Sequence, residues 1–171
     1  MVDLLRLFVG DFDDVHSFIS NKFWGHDVED NAYAIMRTKD GVVAMLHSSA
    51  TLWQHQFSLT INLSGGTVEL SGILSGSKSY GAETMTVARR GVETEGGPSN
   101  IITHYEHDPS WADEVSDFAT AVIADAPIIR GSSAEALKTM QLVHRIYCAD
   151  PVWRETWGLS DSTEDQGTGA I

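Results

Sequence analysis

The chain has 171 residues, 24 acidic against 11 basic side chains, a formal charge of −13 and one cysteine. Its length suits one domain, and its 42% hydrophobic content supplies a core, which excludes wholesale disorder. The acidic balance, with Arg89-Arg90 as the longest cationic cluster, excludes nucleic acid as a partner, and the lone Cys148 excludes a disulfide framework or a thiolate zinc site.

At the start, Leu4, Leu5, Leu7 and Phe8 form a helical stripe closed by Gly10. No capping residue precedes it, so Met1 is expected to lie inside an element that begins further upstream. The segment MVDLLRLFVGD is too short in apolar residues, and lacks the basic n-region, for a signal peptide. No run approaches the roughly 18 apolar residues of a membrane span. A cytoplasmic chain away from membranes is expected.

The next segments have the period of strands, first over residues 15–23 and 31–38. Lys39-Asp40-Gly41 is a hairpin signal leading into a third strand over 42–53. In residues 56–64, Phe57, Leu59, Ile61 and Leu63 alternate strictly with Gln56, Ser58, Thr60, Asn62 and Ser64, as in a half-buried strand. Ser64-Gly65-Gly66 turns the chain into a strand over 67–71, and two weaker patterns follow at 84–90 and 101–104. Between them, residues 72–81 (GILSGSKSYG) read as a glycine-held loop that approaches a ligand closely. Short connections imply antiparallel neighbours, since parallel strands need crossovers of about a dozen residues or more.

Two helices follow. Asp108-Pro109 caps the first, which carries Trp111, Val115, Phe118, Ala119 and Val122 on one face. Ser132-x-x-Glu135 is a capping box for the second, with Ala136, Met140, Val143 and Tyr147 as its stripe and Cys148 as an inert packing residue. Residues 1–150 are expected to form one substrate-binding and association domain. Residues 151–171 lose periodicity and read as a polar, flexible tail. The fold class is α+β: an open, mostly antiparallel β-sheet with helices packed on one face. The other face, with Gln56, Ser58, Thr60, Asn62, His47 and Trp53, is left for a subunit interface or a ligand wall.

Candidate chemistry is confined to a few places. Glu29 and Asp30, in Trp24-Gly-His-Asp-Val-Glu-Asp30, read either as a hydroxyl-binding carboxylate pair or as a solvated loop. Trp53-Gln54-His55 combines an aromatic platform with hydrogen-bonding groups, as polyol and sugar sites do, or is a plain bend. Lys78 and Tyr80 stand in the glycine-held loop. His104-x-x-His107 places its imidazoles on opposite faces of a strand, so no metal site is expected. No GxGxxG, Walker A, GxSxG or HExxH motif occurs, so neither a dinucleotide site nor a catalytic triad is expected in this chain.

Several segments carry a resemblance when taken in order: DLLRLFVGD (residues 3–11), VEDNAYA (28–34), DGVVAMLHSSAT (40–51), the strand at 66–70, DPSWADEVSDFATAV (108–122) and GSSAEALKTMQLVHRIY (131–147). Together they resemble the C-terminal domain of the Gfo/Idh/MocA oxidoreductases, the glucose–fructose oxidoreductase and inositol 2-dehydrogenase family, over residues 1–150. The resemblance implies a dihydrodipicolinate-reductase-like domain whose open sheet shapes the substrate site and whose exposed face joins dimers or tetramers. It implies an N-terminal Rossmann domain that binds NAD or NADP, and hydride transfer at a secondary alcohol of a sugar or cyclitol. In the family an Asp-x-x-x-His motif precedes a hydrophobic-Asp-Leu-Leu helix start. Here that start is Met1-Val2-Asp3-Leu4-Leu5, so the histidine is expected upstream of Met1, and Asp3 is not the proton donor. The implied chain binds no cofactor alone and holds no catalytic residue. Its substrate contacts are assigned to Glu29, Asp30, Trp53, His55, Lys78 and Tyr80. Two competing readings are a non-catalytic module that dimerises through the open sheet face, and a cupin-like metal enzyme, for which the closely spaced histidine pair is missing.

Overall fold

In the computed structural model, residues 1–75, 77, 79–90, 99–129 and 131–160 are described. The order of elements is α1 (Val2–Val9), β1 (Phe12–Ser20), β2 (Asn31–Thr38), β3 (Val43–Ser49), β4 (Ser58–Leu63), β5 (Gly66–Ser71), β6 (Glu83–Arg89), β7 (Ser99–Tyr105), α2 (Ser110–Ile123), α3 (Ser133–Ala149) and α4 (Pro151–Trp157). Every strand pair among the described residues is antiparallel, in a three-stranded sheet β1-β2-β3 and a four-stranded sheet β4-β5-β6-β7. The fold is the expected α+β class with open sheets. Where residues 1–150 were expected to form one unit, the chain divides into two: Met1–Thr51 with the segment from Ile128 onward, and Leu52–Pro127.

The first unit is built on β2, whose Ala32, Ala34, Met36 and Thr38 alternate inward and are buried. Leu46 of β3 and Phe12 of β1 extend this face, and α3 lies on it through Leu142 and Ile146. The buried stripe of α3 is therefore rotated from Ala136, Met140, Val143 and Tyr147, because the helix docks on the edge strand β1 with polar anchors. Ser17 Oγ donates to the Ile146 carbonyl (2.5 Å), and Arg145 donates to the carbonyls of Phe12 (2.6 Å) and Asp13 (2.7 Å). The latter pair satisfies the backbone where the β1–β2 register slips between Phe12 and Asp14.

The stripe of α1 also turns differently from the periodicity. Leu5 and Arg6 face inward, while Leu7 is 73% exposed. Arg6 is the reason: its buried guanidinium binds Asp11, the Glu135 carboxylate and carbonyl, and Thr139, tying α1 to α3. Residues 151–157, placed in the tail by their lack of periodicity, form α4 instead. Asp150 caps it, Pro151 stands at its first turn, and Trp153 is buried beside Tyr147. Residues 161–171 lie outside the described part.

The face of the first sheet opposite α3 is open. Its register aligns Phe18-Tyr33-His47, His16-Ile35-Met45 and Asp14-Arg37-Val43 across the three strands. Phe18 is 79% and Met45 77% exposed, and the imidazole of His47 stacks on Tyr33 at 4.3 Å. His47 thus lies on an open face, as expected, but its neighbours are apolar and aromatic.

In the second unit, Leu59, Leu70 and Met85 align across β4, β5 and β6, as do Ile61, Val68 and Val87, giving the sheet one apolar face. Ser58, Thr60 and Asn62 point the other way and are exposed, in agreement with their alternation. α2 buries none of its residues, so Trp111, Val115, Phe118 and Val122 remain uncovered rather than lying on a sheet. Its start is one residue later than expected. Asp108 accepts from the Ser110 N–H (3.0 Å), and Pro109 occupies the cap position. Among the described residues no helix is long and apolar enough to cross a membrane.

Tyr147 carries a titration prediction. Burial, and then the neighbouring Glu29 carboxylate, push its phenol from the ordinary 10 up to about 12. The unfolded chain loses this proton first. The stabilising contribution of the neutral phenol is therefore complete below pH 10 and is lost as the pH rises through about 12. In an absorbance titration of the four tyrosines, one phenolate is expected to form last, and Tyr147→Phe should remove that step. A titration in which Tyr147→Phe removes an early step instead contradicts the assignment.

Candidate functional site

Two of the six expected site residues come together in the second unit. A cleft of about 330 Å³ is lined by Gln54, His55, Gln56, Phe57, Ser71 and Tyr80. The segment entering β4 supplies the first four, and the loop after β5 folds back to supply Tyr80. That return is fastened by the backbone: Gly72 N–H donates to the Phe57 carbonyl (3.1 Å), and Leu74 N–H donates to Glu83 (2.8 Å). The result sets the imidazole of His55 edge-on to the ring of Tyr80, with centroids 5.1 Å apart.

The lining is chemically specific. Two carboxamides, an imidazole, a hydroxyl and a phenol give donors and acceptors beside the rings of Phe57 and Tyr80, with no carboxylate among the residues named. Such a wall binds hydroxyl groups through neutral hydrogen bonds and packs a sugar face on an aromatic surface. Trp53, next to His55, is 101% exposed and stands free as a further platform. Gln54, Gln56 and Ser71 extend the site beyond the expected set. Gln54 and Gln56 are legible as neighbours of His55, whereas Ser71 joins only because the register pairs it with Ser58.

The other expected residues behave differently. Asp30 is buried, and its carboxylate accepts from the backbone N–H groups of Phe23 (2.7 Å) and Trp24 (3.1 Å) and from Asn31 Nδ2 (3.0 Å). Burial pushes this carboxyl up, but the hydrogen bonds outweigh it and hold it below the usual carboxylate range. Asp30 therefore folds the connection from β1 to β2, and its partner Glu29 faces Tyr147. Both belong to the first unit, apart from the residues of the cleft. Lys78 lies outside the described residues.

Among the described residues neither a metal nor a dinucleotide has a fitting donor set. No group of three metal-ligating side chains occurs among the described residues. A dinucleotide site is made where a parallel strand runs through a glycine turn into a helix N-terminus. Among the described residues the strand pairs are all antiparallel. The residues present do not fit that cofactor.

Residues 1–69 match the family model of the GFO/IDH/MocA C-terminal domain. No curated protein matches the chain. Among solved structures, the chain is similar to UDP-N-acetylglucosamine 3-dehydrogenase GnnA from Acidithiobacillus ferrooxidans, with 19% identity, TM-score 0.66, and coverage of 89% of this chain and 46% of that one. It is similar to the WlbA dehydrogenase from Bordetella pertussis, solved in complex with NADH and UDP-GlcNAcA, with 18% identity, TM-score 0.62, and coverage of 88% and 40%. The aldose-aldose oxidoreductase from Caulobacter crescentus, complexed with glycerol, gives 16% identity, TM-score 0.64, and coverage of 88% and 43%. The chain thus spans less than half the length of each of these structures. The chain is thus similar to the Gfo/Idh/MocA C-terminal domain by family match over residues 1–69, and to these structures in fold over most of its length.

Proposed function

We propose that this chain is the substrate-side and association domain of an NAD(P)-dependent dehydrogenase that acts on a secondary alcohol of a sugar or cyclitol. The observation that carries the reading is the cleft in which His55 and Tyr80 converge with Gln54, Gln56 and Ser71. These residues hold the hydroxyls that do not react, while the nicotinamide cofactor belongs to a separate domain. Trp53 borders the same segment and is assigned to the rim. Glu29 and Asp30 act indirectly, by shaping the connection before β2. A cytoplasmic setting accords with a chain whose single cysteine, Cys148, is buried.

The test is binding by the chain itself. Saturation-transfer NMR with a panel of hexoses, inositols and UDP-sugars should show contact for at least one of them. His55→Ala combined with Tyr80→Phe should weaken that contact by about tenfold or more, the equivalent of losing one or two hydrogen bonds. Calorimetry with NAD⁺ and NADP⁺ should show no heat of binding. Micromolar cofactor binding, or sugar contact indifferent to both substitutions, overturns the assignment.

The open face of β1-β2-β3 favours a second role, self-association. A chain of formal charge −13 repels its own copies over most of its surface. This face instead carries apolar and aromatic side chains, and its one acidic and one basic residue, Asp14 and Arg37, pair with each other. A neutral apolar patch on an acidic chain fits a second copy of itself.

A further inference from the structure

Glu83 has an unusual place on its strand. With Met85 and Val87 it shares one side of β6, and that side belongs to the apolar face made by Leu59, Ile61, Val68 and Leu70. A half-buried carboxylate at such a position costs free energy unless it is hydrogen-bonded. Its bond runs across the loop of residues 72–81, where Glu83 Oε2 accepts from Leu74 N–H at 2.8 Å.

The loop carries this fastening forward to the cleft. Ser75 Oγ and Ser77 Oγ share a hydrogen bond at 3.2 Å, and Ser77 Oγ and Ser79 Oγ share one at 2.8 Å. Ser79 N–H also donates to Ser77 Oγ (3.4 Å). Alternate hydroxyls thus link the strapped Leu74 to Ser79, the residue before Tyr80, whose ring meets His55 edge-on. The bond from Gly72 to Phe57 fixes where the loop begins, and the bond to Glu83 fixes the direction in which it leaves. We infer that Glu83 is a positioning residue for the cleft: through Leu74 and the serine hydroxyls it holds Tyr80 against His55. Glu83 is not among the residues that line the cleft, so it sets affinity without touching the bound molecule. A tyrosine already held in place spares a ligand the entropy of ordering it. The strap needs an acceptor rather than a charge, since an amide carbonyl accepts from Leu74 N–H as a carboxylate does. For its ligand the inference rests on the sugar reading given above; for its geometry it rests on the loop alone.

NMR of the whole chain tests the strap without any ligand. The wild type should show a nuclear Overhauser contact between the rings of His55 and Tyr80, and slow exchange of the Leu74 amide proton. Glu83→Ala should abolish the ring contact and speed the exchange by about tenfold or more, whereas Glu83→Gln should retain both. Ser77→Ala, at an exposed position of the loop, should weaken the ring contact at an unchanged urea midpoint. That variant decides the matter if Glu83→Ala fails to fold. With glucose and myo-inositol as probes, the dissociation constant should rise about tenfold in Glu83→Ala and stay within about twofold in Glu83→Gln. A ring contact that survives both Glu83→Ala and Ser77→Ala overturns the inference. A glutamine variant as damaged as the alanine one also overturns it, because an acceptor alone is then not enough. If the wild type contacts neither sugar, the sugar reading falls, and the ring contact alone decides the role of Glu83.

Discussion

Replacing Asp150 by alanine is expected to destabilise the first unit by about 3 kcal/mol, seen as a lower urea midpoint at unchanged slope. The size follows from three hydrogen bonds made by one buried carboxylate. One oxygen accepts from the N–H groups of Val152 (2.9 Å) and Trp153 (3.1 Å), capping α4; the other accepts from Ile19 N–H of β1 (2.7 Å). Loss of a helix cap costs about 0.5–2 kcal/mol. Leaving the Ile19 donor on a covered strand edge without an acceptor costs about 1–3 kcal/mol more. Asp150→Asn should fall between, because its carbonyl oxygen replaces one side of the bridge and its amide nitrogen cannot accept on the other. A loss below about 1 kcal/mol for alanine would show that water replaces the carboxylate and that the edge of β1 is not sealed by it.

The same residue explains why α4 was not legible. Asp150-Pro151 repeats the sequence Asp108-Pro109, a carboxylate before proline: Asp150 caps α4, whereas Asp108 accepts from Ser110 N–H one residue ahead of the cap position of α2. A helix of seven residues, however, offers too few turns for a periodic stripe, and only Trp153 is buried. Elements with strict alternation were far more readable. The bounds Asn31–Thr38 of β2 follow directly from Ala32, Ala34, Met36 and Thr38, since a central strand covered on one face has only one register that hides them. α3 shows where pattern alone fails. Its cap at Ser132 is as expected, accepting from Glu135 N–H at 3.3 Å, but its sequence holds two overlapping apolar stripes. The choice of Leu142 and Ile146 over Met140 is made by Ser17 and the Arg145 clamp on β1, which are distant in the chain.

The candidate site divides along the same line. Trp53-Gln54-His55 is a local composition signal, and the glycines of residues 72–81 mark a loop that returns on itself, so both halves were visible separately. That they meet, placing Tyr80 against His55, depends on hydrogen bonds from Gly72 and Leu74 to Phe57 and Glu83. Asp30 had the right residue type in a polar run, yet it points inward at three donors, an arrangement invisible until the connection closes.

Gly72 therefore controls the site, and its substitution is expected to have an effect as large as that of Asp150. Its φ is +75°, and a Cβ at this position would sit 2.1 Å from the Ala82 carbonyl oxygen and 2.7 Å from its carbon. Both are backbone atoms, so no side-chain rotation relieves the contact. Gly81, nine residues on in the same loop, has a nearly equal φ of +77° and nothing within 4 Å of the same point. The pair separates conformational strain from steric exclusion. Gly81→Ala should cost the left-handed penalty alone, about 1–2 kcal/mol. Gly72→Ala should cost that and the displacement of Ala82 at the start of β6, for a total of about 3 kcal/mol or more. Because Ala82 adjoins Glu83, which accepts from Leu74 N–H, the displacement also loosens the strap that carries Tyr80. Gly72→Ala should then lose the sugar contact while Gly81→Ala keeps it. Equal losses of stability in the two variants would mean that β6 yields freely, and the tight crossing at Gly72 would no longer account for the cleft.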